Sequence, residues 1–534
     1  CALPISQGQG APTDDLPDLS LTDKGEGKRT INSWHEKQRI LSFFGRLNYD
    51  FKDKYLLSFV FRRDGYSSLL GDNRWGFFPG VSAGWIFGRE DFIKEAIPVM
   101  SFGKLRASYG INGNASGIGA YTLQGSYGSS NSNGSFNYNG NTSYLITELP
   151  NPNLRWEKTA TFEVGADLSF FANRLNTNLT YYNRLTSDKY AALSFPTSTG
   201  FSSVTNNNGE FRNQGIEIEL SGKIIDSKDW TWSASGNIAF NKNKIVSLPD
   251  NGMERNRINA FQVYTGNGDE KKWVGGQQEG QEPGILYLYQ ADGIYRSYDE
   301  IPANLVRKYG SRTYYGPEAW NKLTAEQQNA TTNFPIQPGD TKFHDVNGDD
   351  VIDEFDKVKV GATSPRWTGG FNTTLRWKNF QLYGRFDYAL GFWLYENSGT
   401  QSTTPWFMGC YQGTYNTPTM YYDTWSESNP NAKYPRYLFA DQNGKNNYIA
   451  STMFAYRGDY LAIREISLSY SLPESVAKML KMQRAEVSIT GQNLGYITGA
   501  KNVGSPEANP KDNGAVGQGY SLPRTILFGV NLTF

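Results

Sequence analysis

Histidine and cysteine are almost missing from this chain. Two histidines, His35 and His344, and two cysteines, Cys1 and Cys410, are spread over 534 residues. Nucleophile–histidine catalysis has next to no raw material, a disulfide framework is excluded, and a structural zinc site has no ligand set. Net charge is also lacking: 52 Lys and Arg balance 52 Asp and Glu. No field gathers nucleic acid, so a nucleic-acid role is not expected. Long apolar runs are absent, and GILYLY at 284–289 falls far short of the roughly 18 residues of a membrane-crossing helix. No secretory leader opens the chain. Residues 1–6, CALPIS, read either as an ordinary loop or as translated adapter sequence. On the second reading the chain is a piece of a longer protein, and a missing leader says nothing about compartment.

Aromatics and glycine fill the gap. Hydrophobic residues make up 38% and aromatics 15%, with 56 glycines. Few aliphatics with many rings suit wide sheets that keep one face in water. Alternation recurs along the chain. TATFEVGADLSFF sets Ala160, Phe162, Val164, Ala166, Leu168 and Phe170 against Thr161, Glu163, Gly165, Asp167 and Ser169. LSFFGRLNYDF does the same with Leu41, Phe43, Leu47, Tyr49 and Phe51, and GIEIELSGKI with Ile216, Ile218 and Leu220. The closing TILFGVNLTF puts Ile526, Phe528, Val530, Leu532 and Phe534 on one face to its last residue, as a barrel-closing strand requires.

Such period-two stretches give about 14 strands. They match the about 9–11 tilted residues that cross a bilayer. Among them are 121–127 and 283–296. Short helices are expected near 90–97, 474–481 and 325–330. Short turns alternate with long polar loops near 129–150, 249–282, 298–345, 397–458 and 499–522, the habit of outer-membrane barrels. Arg62, Glu163, Asp167, Glu217, Glu219, Arg385 and Asp387 fall on the polar face, which must then see a wet lumen. Aromatic belts are expected from Tyr49 and Phe51, Trp75, Phe77 and Phe78, Tyr181 and Tyr182, Trp230 and Trp232, Trp377 and Phe380. The fold expected is all-β, an antiparallel transmembrane β-barrel with long extracellular loops and few short helices.

Several stretches, taken in order, resemble one family. They include SFFGRLNYDFKDKYLLSFVFRRDG, PNPNLRWEKTATFEVGADLSFF, NNGEFRNQGIEIELSG, YQADGIYRS, PGDTKFHDVNGDDVIDEFDKVKVG and GDYLAIREISLSYSLPESVAKML. Together they resemble the barrel of SusC/RagA-like, TonB-dependent outer-membrane transporters of Bacteroidetes. The resemblance runs from about residue 38 to 534 and leaves 1–37 as a non-barrel stretch. It implies a barrel of about 22 strands, of which this chain is roughly the C-terminal part, without the plug. It further implies import of oligosaccharides or peptides beneath a SusD-like lipoprotein lid, with TonB contacted through the missing N-terminal part. The alternative is a secreted, calcium-binding all-β carbohydrate-binding or structural module.

Two stretches could carry chemistry. DVNGDDVIDEFD places Asp345, Asn347, Asp349, Val351, Asp353 and Asp356 at positions 1, 3, 5, 7, 9 and 12 of an EF-hand-type loop. It departs from that pattern with Asp350 in place of the turn glycine and Asp in place of the final Glu. One structural Ca2+ is the expectation; the competing reading is a loop closed by Asx-turns. The insertion 397–458 carries Trp406, Phe407, Tyr411, Tyr421, Tyr422 and Trp425. Ring faces stack on sugars, so these are candidate substrate contacts; self-packing of the loop explains them equally well. Glu217 and Glu219 project the same way along one strand, unlike the facing carboxyls of a glycosidase. No enzyme activity is expected.

Overall fold

Hydrocarbon offers a peptide group no hydrogen-bond partner, so a strand that crosses it must be paired along its length. The computed structural model describes residues 2–8, 29–35, 37–129, 137–138, 141–142, 144–395, 423–436, 449–500, 505–507 and 522–534. Thirteen strands form one antiparallel sheet in chain order. They are β1 (Ile40–Phe51), β2 (Tyr55–Tyr66), β3 (Trp75–Trp85), β4 (Met100–Asn114), β5 (Glu157–Phe170), β6 (Leu175–Ser194) and β7 (Ser203–Asp226). The others are β8 (Trp230–Ser247), β9 (Trp367–Trp377), β10 (Phe380–Leu390), β11 (Tyr460–Ser471), β12 (Arg484–Thr498) and β13 (Thr525–Thr533). Residues Ala2–Gly8 and Arg29–His35 pair as a separate two-stranded ribbon. Among the described residues β1 and β13 are the outer strands of the sheet and do not pair with each other.

Register shows why the alternation matters. One row across the sheet reads Tyr49, Leu57, Ala83, Ala107, Val164, Tyr181, Ile216, Phe240 and Trp367. The neighbouring row, one residue along and on the opposite face, reads Asn48, Ser58, Ser82, Ser108, Glu163, Tyr182, Gly215 and Asn241. The apolar face stays bare: Leu47 is 66% and Phe528 80% exposed. A sandwich would bury that face against a second layer. None covers it among the described residues, which removes the structural basis of the soluble alternative. No helix among the described residues is long and apolar enough to cross a membrane.

The two ends of the sheet differ. At one end the connections are tight, at 52–54, 171–174, 227–229 and 378–379. Lys52 and Asp53 take φ of 55° and 50° there, the left-handed geometry that matches a two-strand twist. Helices Asp91–Ala96 and Glu474–Met479 fill the two longer connections at this end. Rings Trp230, Trp377, Phe380 and Tyr470 run from strand to strand with centroids 4.6–5.9 Å apart, forming an aromatic girdle. At the other end lie the long loops, including 248–366 and 391–459. The helix expected near 325–330 is Ala325–Gln328, started by a capping box on Thr324.

Two strands expected from the sequence do not join the sheet. The stretch 121–127 is mostly turn, and 283–296 splits into Ile285–Tyr289 and Ala291–Ile294, paired with loop strands. Alternation reports a half-buried strand without saying which sheet receives it. Phe78 and Tyr182 also leave the expected belt. Each follows an outward ring by one residue, so it points inward and is buried.

The two faces predict an asymmetry. Val164→Arg, on the bare face, should cost about 2–4 kcal/mol of stability in lipid. Ser108→Arg, inward beside Glu163, should cost less than about 1 kcal/mol. Urea unfolding of the bilayer-inserted protein measures both; equal costs would contradict the assignment of faces.

Candidate functional site

The inner wall is a lattice of polar groups set by the strand register. Arg106 donates to Asp167 at 3.3 Å and to Asn178 at 3.0 Å, spanning β4 to β6. Arg184 donates to Glu163 at 3.2 Å and lies over the Tyr182 ring. Farther round, a depression of about 560 Å³ is lined by Asp167, Asn178, Glu219, Asn237, Asn372 and Arg385. The expected inward charges all lie on this wet face. Glu217 and Glu219 stand side by side along β7 and do not face each other across a cleft, so they lack the opposed arrangement of a glycosidase pair.

Arg464 carries no signal in the sequence. It sits at a register shift between Ile463 and Glu465, where a bulge re-aims the side chain. It bonds Asp387 at 2.6 Å and also Glu507, which reaches in from the loop between β12 and β13. Tyr496 donates to the same Glu507 at 3.1 Å. No sequence signal links these four residues.

Above the wall, the two largest loops pack as one body. Leu288 of the first shares a core with Tyr395, Tyr434 and Phe454 of the second. Ile449 joins Tyr289, Tyr314, Phe343 and Ile352 in another. Asp340, fully buried, accepts from Arg436 Nε at 2.7 Å, and Arg436 also donates to Gln337. An unpaired carboxylate would not be stable at that depth, so the pair locks one loop to the other.

The acidic loop hangs from this body. Asp345 accepts amides from Gly348 and Asp350, each at 2.8 Å. Asp350 takes φ of 61°, the left-handed turn that a glycine would make at position 6. Asp349 accepts from the Val351 amide and Asp353 from that of Phe355. Asp356, fully buried, accepts from Val346 and Asp353 amides; burial pushes its carboxyl up to about 6. Asn347 donates to Asp269, and its own carbonyl oxygen is buried without a partner. Among the described residues no three His, Cys, Asp or Glu side chains gather round one point. His344 pairs with Asp292 at 3.0 Å.

Of the aromatic candidates, Trp406, Phe407, Tyr411, Tyr421 and Tyr422 lie outside the described residues. Trp425 lies within them and is half-buried. Its indole N–H donates to the Arg296 carbonyl, and its ring fills the space beside Gly339. That side chain packs the loop body.

Known proteins share this organisation. TonB-dependent receptor P3 of Formosa agariphila is 29% identical over 512 residues, covering 94% of this chain and 46% of the relative. TonB-dependent receptor SusC of Bacteroides thetaiotaomicron is 26% identical over 544 residues, with 99% and 46% covered. The chain thus spans about half the length of the curated relatives it matches. A chain in the structure of the RagAB peptide transporter superposes with a TM-score of 0.70 at 23% identity, over 98% of this chain and 50% of that one. The family model described as TonB dependent receptor-like, beta-barrel matches residues 6–304, more than half of the sequence. A wall that is greasy outside and polar inside is what that family builds, and this chain belongs to it as part of an outer-membrane β-barrel.

Proposed function

We propose that the chain forms wall and extracellular loops of a TonB-dependent importer of oligosaccharides or peptides. The observation that carries this is the division of faces: a bare apolar exterior, an inner wall lined by charge networks, and the longest folded loops gathered at one end. That arrangement makes a wet passage through lipid. TonB supplies the drive, and a SusD-like lipoprotein sits as a lid over the long loops; the likeness to SusC supports both. The role is transport, with no bond made or broken by these residues.

Deleting the gene should abolish uptake of labelled oligosaccharide or peptide mixtures by intact cells, and a lid lipoprotein should co-purify with the tagged receptor. Unchanged uptake and no co-purified lipoprotein would contradict the proposal. Arg436→Ala leaves Asp340 buried and unpaired, a loss of about 3–5 kcal/mol to the loop body. Trypsin should then cut at exposed Lys433 faster while the barrel itself stays folded; unchanged cleavage contradicts the lock.

For the acidic loop we propose one weakly held structural Ca2+. The left-handed Asp350 and the unpartnered Asn347 oxygen support this reading. A cation there must displace amide donors, so affinity belongs in the range of extracellular modules, roughly 0.1–1 mM. Calorimetry should show one site lost in Asp345→Asn with Asp353→Asn. Identical heats for the wild type and the double variant would contradict it.

A further inference from the structure

The exterior of β7 and β8 changes character toward the long-loop end. Beyond Ile216 and Phe240, Gln214 lies opposite Lys242, and Arg212 opposite Lys244. Their direction is fixed by their neighbours. Asn241 donates to Asn243 at 2.9 Å and accepts from Tyr182, all on the inner face, so Lys242 and Lys244 point outward. Both lysines are exposed, and the Arg212 Nε is buried with no hydrogen-bond partner. Among the described residues none of the three cations has a carboxylate within ion-pair reach. Like charges directly opposite on a sheet repel. Here Arg212 and Lys244 do so without relief from the protein.

Their height on the wall identifies what relieves them. On β7 and β8 the outward apolar run stops at Ile216 and Phe240, whose ring packs on Trp367 with centroids 4.8 Å apart. Arg212, Lys242 and Lys244 stand just past that point, where acyl chains give way to headgroups. An anion held at this height would come from a molecule whose tails lie along Ile216 and Ile218. Lys158, exposed and outward on β5, extends the charge on the same side.

We propose that Arg212, Lys242 and Lys244 hold the phosphate of an outer-leaflet lipid headgroup. Guanidinium and ammonium groups on one phosphate form charge-assisted hydrogen bonds. The proposal rests on the membrane reading above, with the long loops outside the cell.

The test uses the receptor purified from membranes into nanodiscs. Native mass spectrometry reads its retention of a bis-phosphorylated glycolipid, the dephosphorylated glycolipid, or inorganic phosphate. Wild type should retain the phosphorylated lipid over the other two. R212Q/K242Q/K244Q should lose about fivefold in affinity per cation, on the order of 100-fold together. S108R, on the inner wall, should retain lipid like wild type and shows that a charge change elsewhere is not the cause. Heat-modified migration on gels checks that the triple variant is folded. If that variant is unfolded, the single K244Q, with its fivefold loss, decides. Equal retention by folded variant and wild type overturns the lipid site, as does equal retention of the dephosphorylated lipid. Preference for inorganic phosphate overturns the lipid as its source. A receptor that enters no bilayer at all overturns the membrane reading and the site with it.

Discussion

A backbone amide in hydrocarbon has nothing to bond except another backbone. That constraint governs the architecture. It requires each crossing strand to be flanked by others, so the sheet runs through thirteen neighbours in simple chain order. It also removes the usual driving force for a core in the barrel wall. The apolar face is left bare because lipid covers it, while the buried clusters gather in the loops, around Tyr314, Phe454 and Leu69.

The polar face follows from the same constraint. With side-chain period two, every residue that does not meet lipid lines the passage. Charges are therefore free to accumulate inward, and they organise into bridges that cross two or three strands. Arg106 joins β4, β5 and β6, and Arg464 joins β10 and β11 to the final loop. These ties stiffen the wall from within, where no core can.

Much of this was legible in the sequence because alternation carries it directly. The segment from Ala160 to Phe170 announces both faces without any partner in view. The turns were legible too: the tight hairpins at 52–54 and 171–174 separate clean runs. What escaped reading depends on long-range meetings. Ile285–Tyr289 is apolar enough to pass for a wall strand but pairs with Lys357–Ala362 in the loops. Phe78 and Tyr182 looked like belt residues through their neighbours, yet parity turned them inward. The Arg436–Asp340 lock joins residues 96 positions apart, and the bulge that aims Arg464 leaves no mark in composition. Spacing marks the acidic loop as a candidate, and Asp350 stands at its sixth position with a left-handed φ of 61°.

Spin labels placed singly from residue 160 to 168 in the bilayer-inserted protein test the division of faces most directly. Collision with oxygen, which dissolves in lipid, should peak at 160, 162, 164, 166 and 168. Collision with a water-soluble nickel chelate should peak at 161, 163, 165 and 167. Two profiles that rise and fall together, with no period of two, would contradict a wall between lipid and a wet passage.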